Sequence, residues 1–408
     1  MNADNNATTS KIGIALAGGG PLGGIYEVGA IAALAESMEG LDFNAADIYV
    51  GVSSGSFIAA ALANGISPAR LTHMLIDNGK SEEIFDPELL LKPAFREYWN
   101  RASSVPPLLW KSLKQFLADP FDRGLYESFA RLGRALPTGV FNNAGIGRFL
   151  AQLFRAPGRT NDFRKLRNLL FLVATDLDSG ESVPFGAEGW EDVPISRAVQ
   201  ASSALPGLFP PVRVRGRYFV DGALIKTLHA SVALKHGAKL VLCINPLVPF
   251  DAQLAEKRGG KERHKLVEGG LPVVLSQTFR AIIHSRMRTG MDRYQHQYPD
   301  ADVLLFEPHA DDAAMFFTNV FSYRDRHTLC EHAYQMTRRD LWRRRHMLRP
   351  ILARHGIRLR TEVLRDPHRS LLDDKLPSLE PVRGLARVTV TLRHTLDELD
   401  AWLKAKKV

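Results

Sequence analysis

Ser53 lies in Gly51-Val52-Ser53-Ser54-Gly55, directly after the apolar run Ile48–Val52 and directly before the small-residue stretch Ser54–Ala63. A serine on a sharp strand-to-helix turn has its hydroxyl held out of the sheet, and flanking glycines relieve the backbone crowding of such a turn. The helix N-terminus that follows directs partial positive charge at the site, which favours negative charge developing on an attacked carbonyl. That is the setting of a nucleophilic serine. Its bland counterpart is a structural turn built of small residues.

A second signal is Gly18-Gly19-Gly20-Pro21-Leu22-Gly23-Gly24, after the apolar run Ile12–Ala17 and before Ile25, Val28, Ala32 and Ala35 at helical spacing, with Gly40 as a stop. As G-x-G-x-x-G it fits a dinucleotide fingerprint, and the chain would then be a nicotinamide or flavin oxidoreductase. Such an enzyme wants an acidic residue at the end of the next strand to hold the ribose, and Val52-Ser53 stands there instead. A glycine loop with free N–H groups can equally cradle an oxyanion, and two loops at one sheet edge would place it beside Ser53.

A serine needs a base. The order Ser, acid, His of the α/β-hydrolases could be met by Asp221 followed by His229, His236 or His309. That architecture sets several strands before its nucleophile, whereas only some fifty residues precede Ser53. A serine with a single carboxylate base fits better. Asp221, in Phe219-Val220-Asp221-Gly222-Ala223, ends a short apolar run, and Asp176, after Leu169–Thr175, is its rival. Taken alone, an Asp-Gly pair is most often a turn.

The elements that must position these residues are short apolar runs separated by helical patterns: Ile12–Ala17, Ile48–Val52, Leu169–Thr175, Tyr218–Val220, Leu240–Ile244 and Val303–Phe306. Several are apolar at consecutive positions, which suits strands buried on both faces, so the fold class is α/β with a mainly parallel sheet. Ser54–Ala63 reads as a helix packed inside the protein, and Ser67-Pro68 opens another that closes at Asn78-Gly79. Residues 1–11 read as a disordered tail. From Glu82 to Arg167 prolines and large apolar residues interrupt the alternation, as in a helical insertion that packs onto the sheet or forms a lid. Beyond Arg349 lies an extension, 350–408, with a β-like run Ala386–Leu392 and a capping box at Thr395-Leu-Asp-Glu398.

The 408 residues are 45% hydrophobic and 24% charged, which excludes disorder and coiled coil for the bulk. Cys243 and Cys330 are too few and too far apart for a disulfide framework or a cysteine zinc site. No secretory signal or membrane-spanning run is evident, so a cytoplasmic or peripheral protein is expected. The net charge of +9 has one address, Thr337 to Arg349, where six arginines face a single acid, Asp340, with Leu341, Trp342, Met347 and Leu348 interleaved. This stretch is either a solvated helix with Leu and Trp facing the core, or a basic amphipathic surface for anionic lipid. Nucleic acid is not expected as a partner, because no binding motif accompanies the charge.

Taken in order, Gly18–Gly24, Gly51–Gly55 and Asp221-Gly222-Ala223 resemble the three signatures of the patatin-like phospholipases. The segments Ala174–Glu181 and Ala201–Pro211 are similar to that family as well, and the resemblance covers roughly Ile14 to Leu234. It implies a three-layer α/β/α fold, a catalytic domain over 12–235, and hydrolysis of lipid carboxylic esters by a Ser-Asp dyad without histidine. The resemblance does not assign the region after Leu234; residues 236–349 are expected to complete the sheet and helices. It also implies Ser53 as nucleophile, Asp221 as proton acceptor, Gly18, Gly19, Gly20 and Gly23 as the oxyanion loop, and no cofactor or metal. Gly51, Gly55, Gly222 and Ala223 support the motifs. The family's loop usually carries Arg or Lys where this chain has Leu22, which bears on head-group preference. A lipid-binding protein without turnover is the alternative.

Overall fold

The computed structural model describes residues 10–76, 84–86, 89, 138–258, 266–317 and 323–371. The first part of the chain forms β1 (Ile12–Leu16), α1 (Gly20–Ser37), β2 (Met38–Glu39), β3 (Ile48–Val52), α2 (Ser54–Ala63) and α3 (Pro68–Ile76). Then come α4 (Ala144–Leu153), β4 (Leu169–Asp176), β5 (Ser182–Phe185), α5 (Ile195–Ser202), β6 (Val212–Val214), β7 (Arg217–Asp221) and α6 (Ala230–Lys235). The last part holds β8 (Leu240–Ile244), α7 (Ala252–Lys257), α8 (Gly270–Gln297), β9 (Asp302–Phe306), α9 (Ala314–Phe317), α10 (Tyr323–Arg354), β10 (Arg358–Leu359) and α11 (Thr361–Arg365).

The central sheet runs β6-β7-β4-β3-β1-β8-β9, with β5 also on β4. β4, β3, β1, β8 and β9 are parallel, while β5 and β7 are antiparallel to β4 and β6 to β7. The strands expected from consecutive apolar runs are all present. Each parallel strand of the middle is buried on both faces because helices cover both. Ala15, Ala17, Val50, Val52, Phe171 and Val173 pack toward Ala230, Ala233 and Leu234 of α6 and Met287 and Tyr294 of α8. The opposite face meets α2 and α5; α1 packs on α2, and α10 packs over α1 as a further layer. The sequence did not mark β2, β5, β6 and β10, which are short, lie at edges and mix polar with apolar residues.

Helix α1 is buried nearly all round from Gly23 to Leu34, because α10, α2 and α3 pack around it. A Cβ at Gly29 would stand 2.4 Å from the Cys330 carbonyl oxygen, so only glycine lets the two helices approach this closely. Chain reversal after α1 uses Gly40 at φ +92°, where the sequence placed a stop. Ser67 accepts a bond from the Arg70 N–H at 3.3 Å, opening α3. Cys243 and Cys330 are both free and fully buried.

From the 82–167 insertion, α4 and Phe85 are described. Phe85 and Phe149 form a ring cluster with Phe57 of α2, centroids 5.3 to 6.1 Å apart. Residues 82–83, 87–88 and 90–137 of that expected lid, the Asn78-Gly79 helix end, the 1–9 tail and the elements expected over Ala386–Glu398 lie outside the described residues. A second compact unit comprises residues 90–142, 206–210 and 372–408, and in its described part Gly139 bridges Gly207 in parallel fashion.

Candidate active site

The register on β4 explains how two residues 168 positions apart come together. β3 runs along one edge of β4 and its last pair is Val52 with Val173. β7 runs in the opposite direction, and its last pair is Asp221 with Ala174. β5 pairs with Leu172 to Thr175 as well, so it occupies the other edge. β3 and β7 therefore share one edge of β4 and meet end to end between Val173 and Ala174. The residue after β3 is Ser53, and the last residue of β7 is Asp221. Gly222 turns away at this junction, where a Cβ would lie 2.3 Å from the Val173 carbonyl oxygen and 3.2 Å from a Val52 methyl.

Ser53 has φ 53° and ψ −123°, a conformation that non-glycine residues rarely hold and that costs of order 1–3 kcal/mol. The surrounding hydrogen bonds hold it there. Its N–H donates to Ser202 Oγ at 2.9 Å, and that hydroxyl donates to the Val173 carbonyl at 2.6 Å. Its carbonyl accepts from the Ser56 hydroxyl at 2.5 Å and from Ser203 Oγ at 3.2 Å. Close approach on either side also requires glycine: a Cβ at Gly51 would meet Gly55 O at 2.5 Å, and one at Gly55 would meet Ala17 O at 2.6 Å.

The Asp221 carboxyl is buried, 2% exposed, and desolvation pushes its pKa up to about 6. The facing Ser53 hydroxyl and the Ala223 N–H, at 2.9 Å, each favour the ionised form and limit that rise. Its backbone is fixed by the Ala204 carbonyl, which accepts its N–H at 3.0 Å, and by the Thr175 hydroxyl, which donates to its carbonyl at 3.3 Å. The rival Asp176 pairs with Phe219, two positions farther from the junction, and its carboxylate forms an ion pair with Arg217 at 3.1 Å.

Among the described residues, no bond joins a histidine considered from sequence to Ser53 or Asp221. Burial first, then the nearby Lys226 cation, lowers His229 to about 3, and its Nε2 is buried without a hydrogen-bond partner. The His236 ring lies 4.4 Å from that of Phe171, and His309 meets Arg343 at 3.4 Å.

The glycine loop follows β1 on the same sheet edge. Gly18 is nearest the serine: a Cβ there would lie 3.0 Å from both Ser53 Cβ and Ala223 Cβ. Gly20, at φ +60°, starts α1 and is exposed. Among the described residues, the N–H groups of Gly18, Gly19 and Gly20 donate to no acceptor. Gly23 differs from the sequence expectation, because its N–H already donates to the Gly19 carbonyl at 3.0 Å in the first turn of α1. What it contributes is space. A Cβ at Gly23 or Gly19 would come within 2.9 or 2.5 Å of Pro246 Cγ. The dinucleotide alternative also fails here, since β3 ends in the serine turn with no acid in position to hold a ribose.

Four contributors were not singled out from sequence. Ser202 and Ser203 close α5 within the segment Ala201–Pro211, and neither hydroxyl carries a motif of its own. Pro246 follows β8, far from the loop in sequence. Glu27 is fully buried in α1 with both carboxylate oxygens lacking a hydrogen-bond partner, and desolvation raises its pKa well above the ordinary carboxylate value. An acid flanked by Ile25, Val28, Ala30 and Ile31 was the signal available for it.

Thr337 to Arg349 falls inside α10. Leu341 and Leu348 are fully buried, so its leucines face the core and do not form a lipid-facing stripe. Arg338 is buried too, donating to the carbonyls of Val363 and Asp366 at 2.6 and 2.7 Å. No described helix is long and apolar enough to cross a membrane.

The family model for patatin-like phospholipases matches residues 14–234, more than half of the chain. Among solved structures, VipD from Legionella pneumophila is 16% identical, with 81% of this chain and 66% of that one covered and a TM-score of 0.38. The type III effector ExoU, of Pseudomonas aeruginosa, is 17% identical over 82% of this chain and 53% of its own, with a TM-score of 0.36. Human GIVD cytosolic phospholipase A2, in complex with methyl gamma-linolenyl fluorophosphonate, is 14% identical over 87% and 61%, with a TM-score of 0.34. The chain spans less than two thirds of each of these three structures.

Proposed function

Since the chain belongs to the patatin-like phospholipase family, a family of lipid acyl hydrolases, we propose that it cleaves lipid carboxylic esters through Ser53 and Asp221. The observation that carries this reading is the end-to-end meeting of β3 and β7, which sets the strained Ser53 against a buried carboxyl.

Asp221, ionised, takes the Ser53 proton as Oγ attacks the ester carbonyl carbon, and the C=O π electrons move onto oxygen. The N–H groups of Gly18, Gly19 and Gly20 stabilise that oxyanion. Collapse expels the alcohol or lysolipid, which leaves with the proton from Asp221. Water then gives its proton to Asp221 and attacks the acyl-serine, releasing the fatty acid and restoring the hydroxyl. A base with a pKa near the working pH combines sufficient ionisation with proton affinity, and burial brings Asp221 toward that range. Leu22 adds no cation to the loop, which suits attack on the acyl ester itself more than reading of an anionic head group.

Labelling by a fluorophosphonate probe and hydrolysis of medium-chain p-nitrophenyl esters test the assignment. Ser53→Ala should abolish both. Asp221→Asn should lower kcat by a factor on the order of a thousand with substrate binding intact. Undiminished hydrolysis in Ser53→Ala would overturn it.

A further inference from the structure

Away from Ser53, α10 and α11 flank an open hollow of about 650 Å³ lined by Arg338, Arg339, Trp342, Arg343, Arg345 and Arg365. Its volume lies in the range of small-molecule sites. Five guanidinium groups face one acid in the lining, Asp366, and that carboxylate accepts the His368 N–H at 3.0 Å. Among the described residues, Arg339, Arg343, Arg345 and Arg365 have no carboxylate partner, whereas Arg344, Arg354, Arg358, Arg360 and Arg369 nearby each have one. Clustering four uncompensated cations around one hollow costs free energy that an anion would recover.

The lining is also braced. Buried Arg338 bonds the carbonyls of Val363, Asp366 and Arg369, fixing the segment that carries Arg365 against α10. The Trp342 ring holds two of the cations, with the Arg345 and Arg365 guanidinium carbons 4.0 and 5.0 Å from its centroid. Arg345 further donates to the Trp342 carbonyl at 2.7 Å. Arg343 reaches His309, just past the carboxyl end of β9, and so stands at the same sheet edge as Ser53, three strands along. Planar guanidinium groups held in fixed directions match the tetrahedral oxygens of phosphate better than flexible surface lysines do.

We propose that this arginine-lined cavity between α10 and α11 binds a terminal phosphate monoester, borne either by a lipid headgroup or by a free phosphorylated metabolite, in preference to a phosphodiester. The proposal does not depend on Ser53 being a nucleophile, because its readout is binding.

The full chain is titrated with inorganic phosphate and glycerol 3-phosphate, and separately with phosphatidylcholine vesicles containing phosphatidic acid or, at equal charge, phosphatidylserine. Arg343→Gln/Arg365→Gln should weaken phosphate binding by about tenfold or more, since charge-assisted bonds are lost. Arg324→Gln, on the same helix but outside the cavity, should leave it unchanged, and all variants should melt alike. Saturable binding of glycerol 3-phosphate in solution names a free metabolite as the source. Binding confined to phosphatidic acid vesicles names a headgroup. No binding in either arm, equal binding to phosphatidylserine, or equal weakening by Arg324→Gln would overturn the site.

Discussion

The Ser202 hydroxyl accepts the Ser53 N–H at 2.9 Å while donating to the Val173 carbonyl at 2.6 Å, so one side chain ties the strained serine to the strand beside it. Ser202→Ala removes the acceptor and leaves a buried N–H and a carbonyl unpaired. It should destabilise the protein by about 1–3 kcal/mol. Because the turn then relaxes, kcat on a soluble ester should fall with KM little changed, and Ser202→Thr should restore part of it. Full activity in Ser202→Ala would show that the turn needs no such tie.

The raised pKa of Asp221 sets a pH profile. Only the ionised carboxylate can take the Ser53 proton, so kcat/KM should climb through about pH 6 and level off above it. A limb near 4, or one near 7 that Asp221→Asn leaves in place, would count against Asp221 as the base.

Stability should move the other way. The folded carboxyl keeps its proton up to about pH 6 and the unfolded one only to 3.8, so this group favours the folded state most below pH 3.8 and loses that contribution as pH rises to about 6. Asp221→Asn carries no buried charge, and above pH 6 it should be more stable than wild type by up to about 3 kcal/mol. Chemical denaturation at pH 5 and pH 8 measures both, with the gap between the proteins expected to be larger at pH 8.

Gly18 and Gly20 should fail differently when changed to alanine. At Gly18 the new methyl meets Ser53 and Ala223 at 3.0 Å, displacing the nucleophile, so the rate should fall about tenfold or more. At Gly20 there is open space but φ is +60°, so the cost is about 1 kcal/mol of stability. Melting temperatures and kcat for the pair, measured side by side, check that division.

Glu27 offers a third pH effect. Its carboxyl is protonated when folded and ordinary when unfolded, so its contribution is complete below the usual glutamate value of 4.5 and declines as pH rises above it. Glu27→Gln should match wild type in acid and surpass it increasingly toward pH 9, read as melting temperature. A gap that does not change with pH would mean that Glu27 is ionised in the fold.

Much of this was legible from residues alone. Ile48–Val52 and Leu240–Ile244 have the same bounds in sequence and structure, because strands buried on both faces leave uninterrupted apolar runs. The turn at Ser53 was legible because nucleophile, glycines, strand and helix are contiguous. The choice between Asp221 and Asp176 was not a local matter: both end strands, and only the register on β4 sets one at the junction and the other beside Arg217. Likewise nothing local tells that Arg338 is buried among carbonyls while Arg343 is exposed, since the helical position of each depends on α11 packing alongside. Gly23 resembles its neighbours in sequence, and what separates it is the first hydrogen bond of α1.

The place of β8 has a practical consequence. The family match ends at residue 234, yet β8, from Leu240 to Ile244, pairs with β1 along all five of its residues. A fragment cut at that boundary would retain Ser53, Asp221 and the glycine loop but strip β1 of one neighbour, exposing an apolar, unprotected hydrogen-bonding edge to other chains. The block of recognisable motifs is thus not a unit that can be excised, and expression of residues 14–234 should yield a larger aggregated fraction than expression of the full chain under the same conditions.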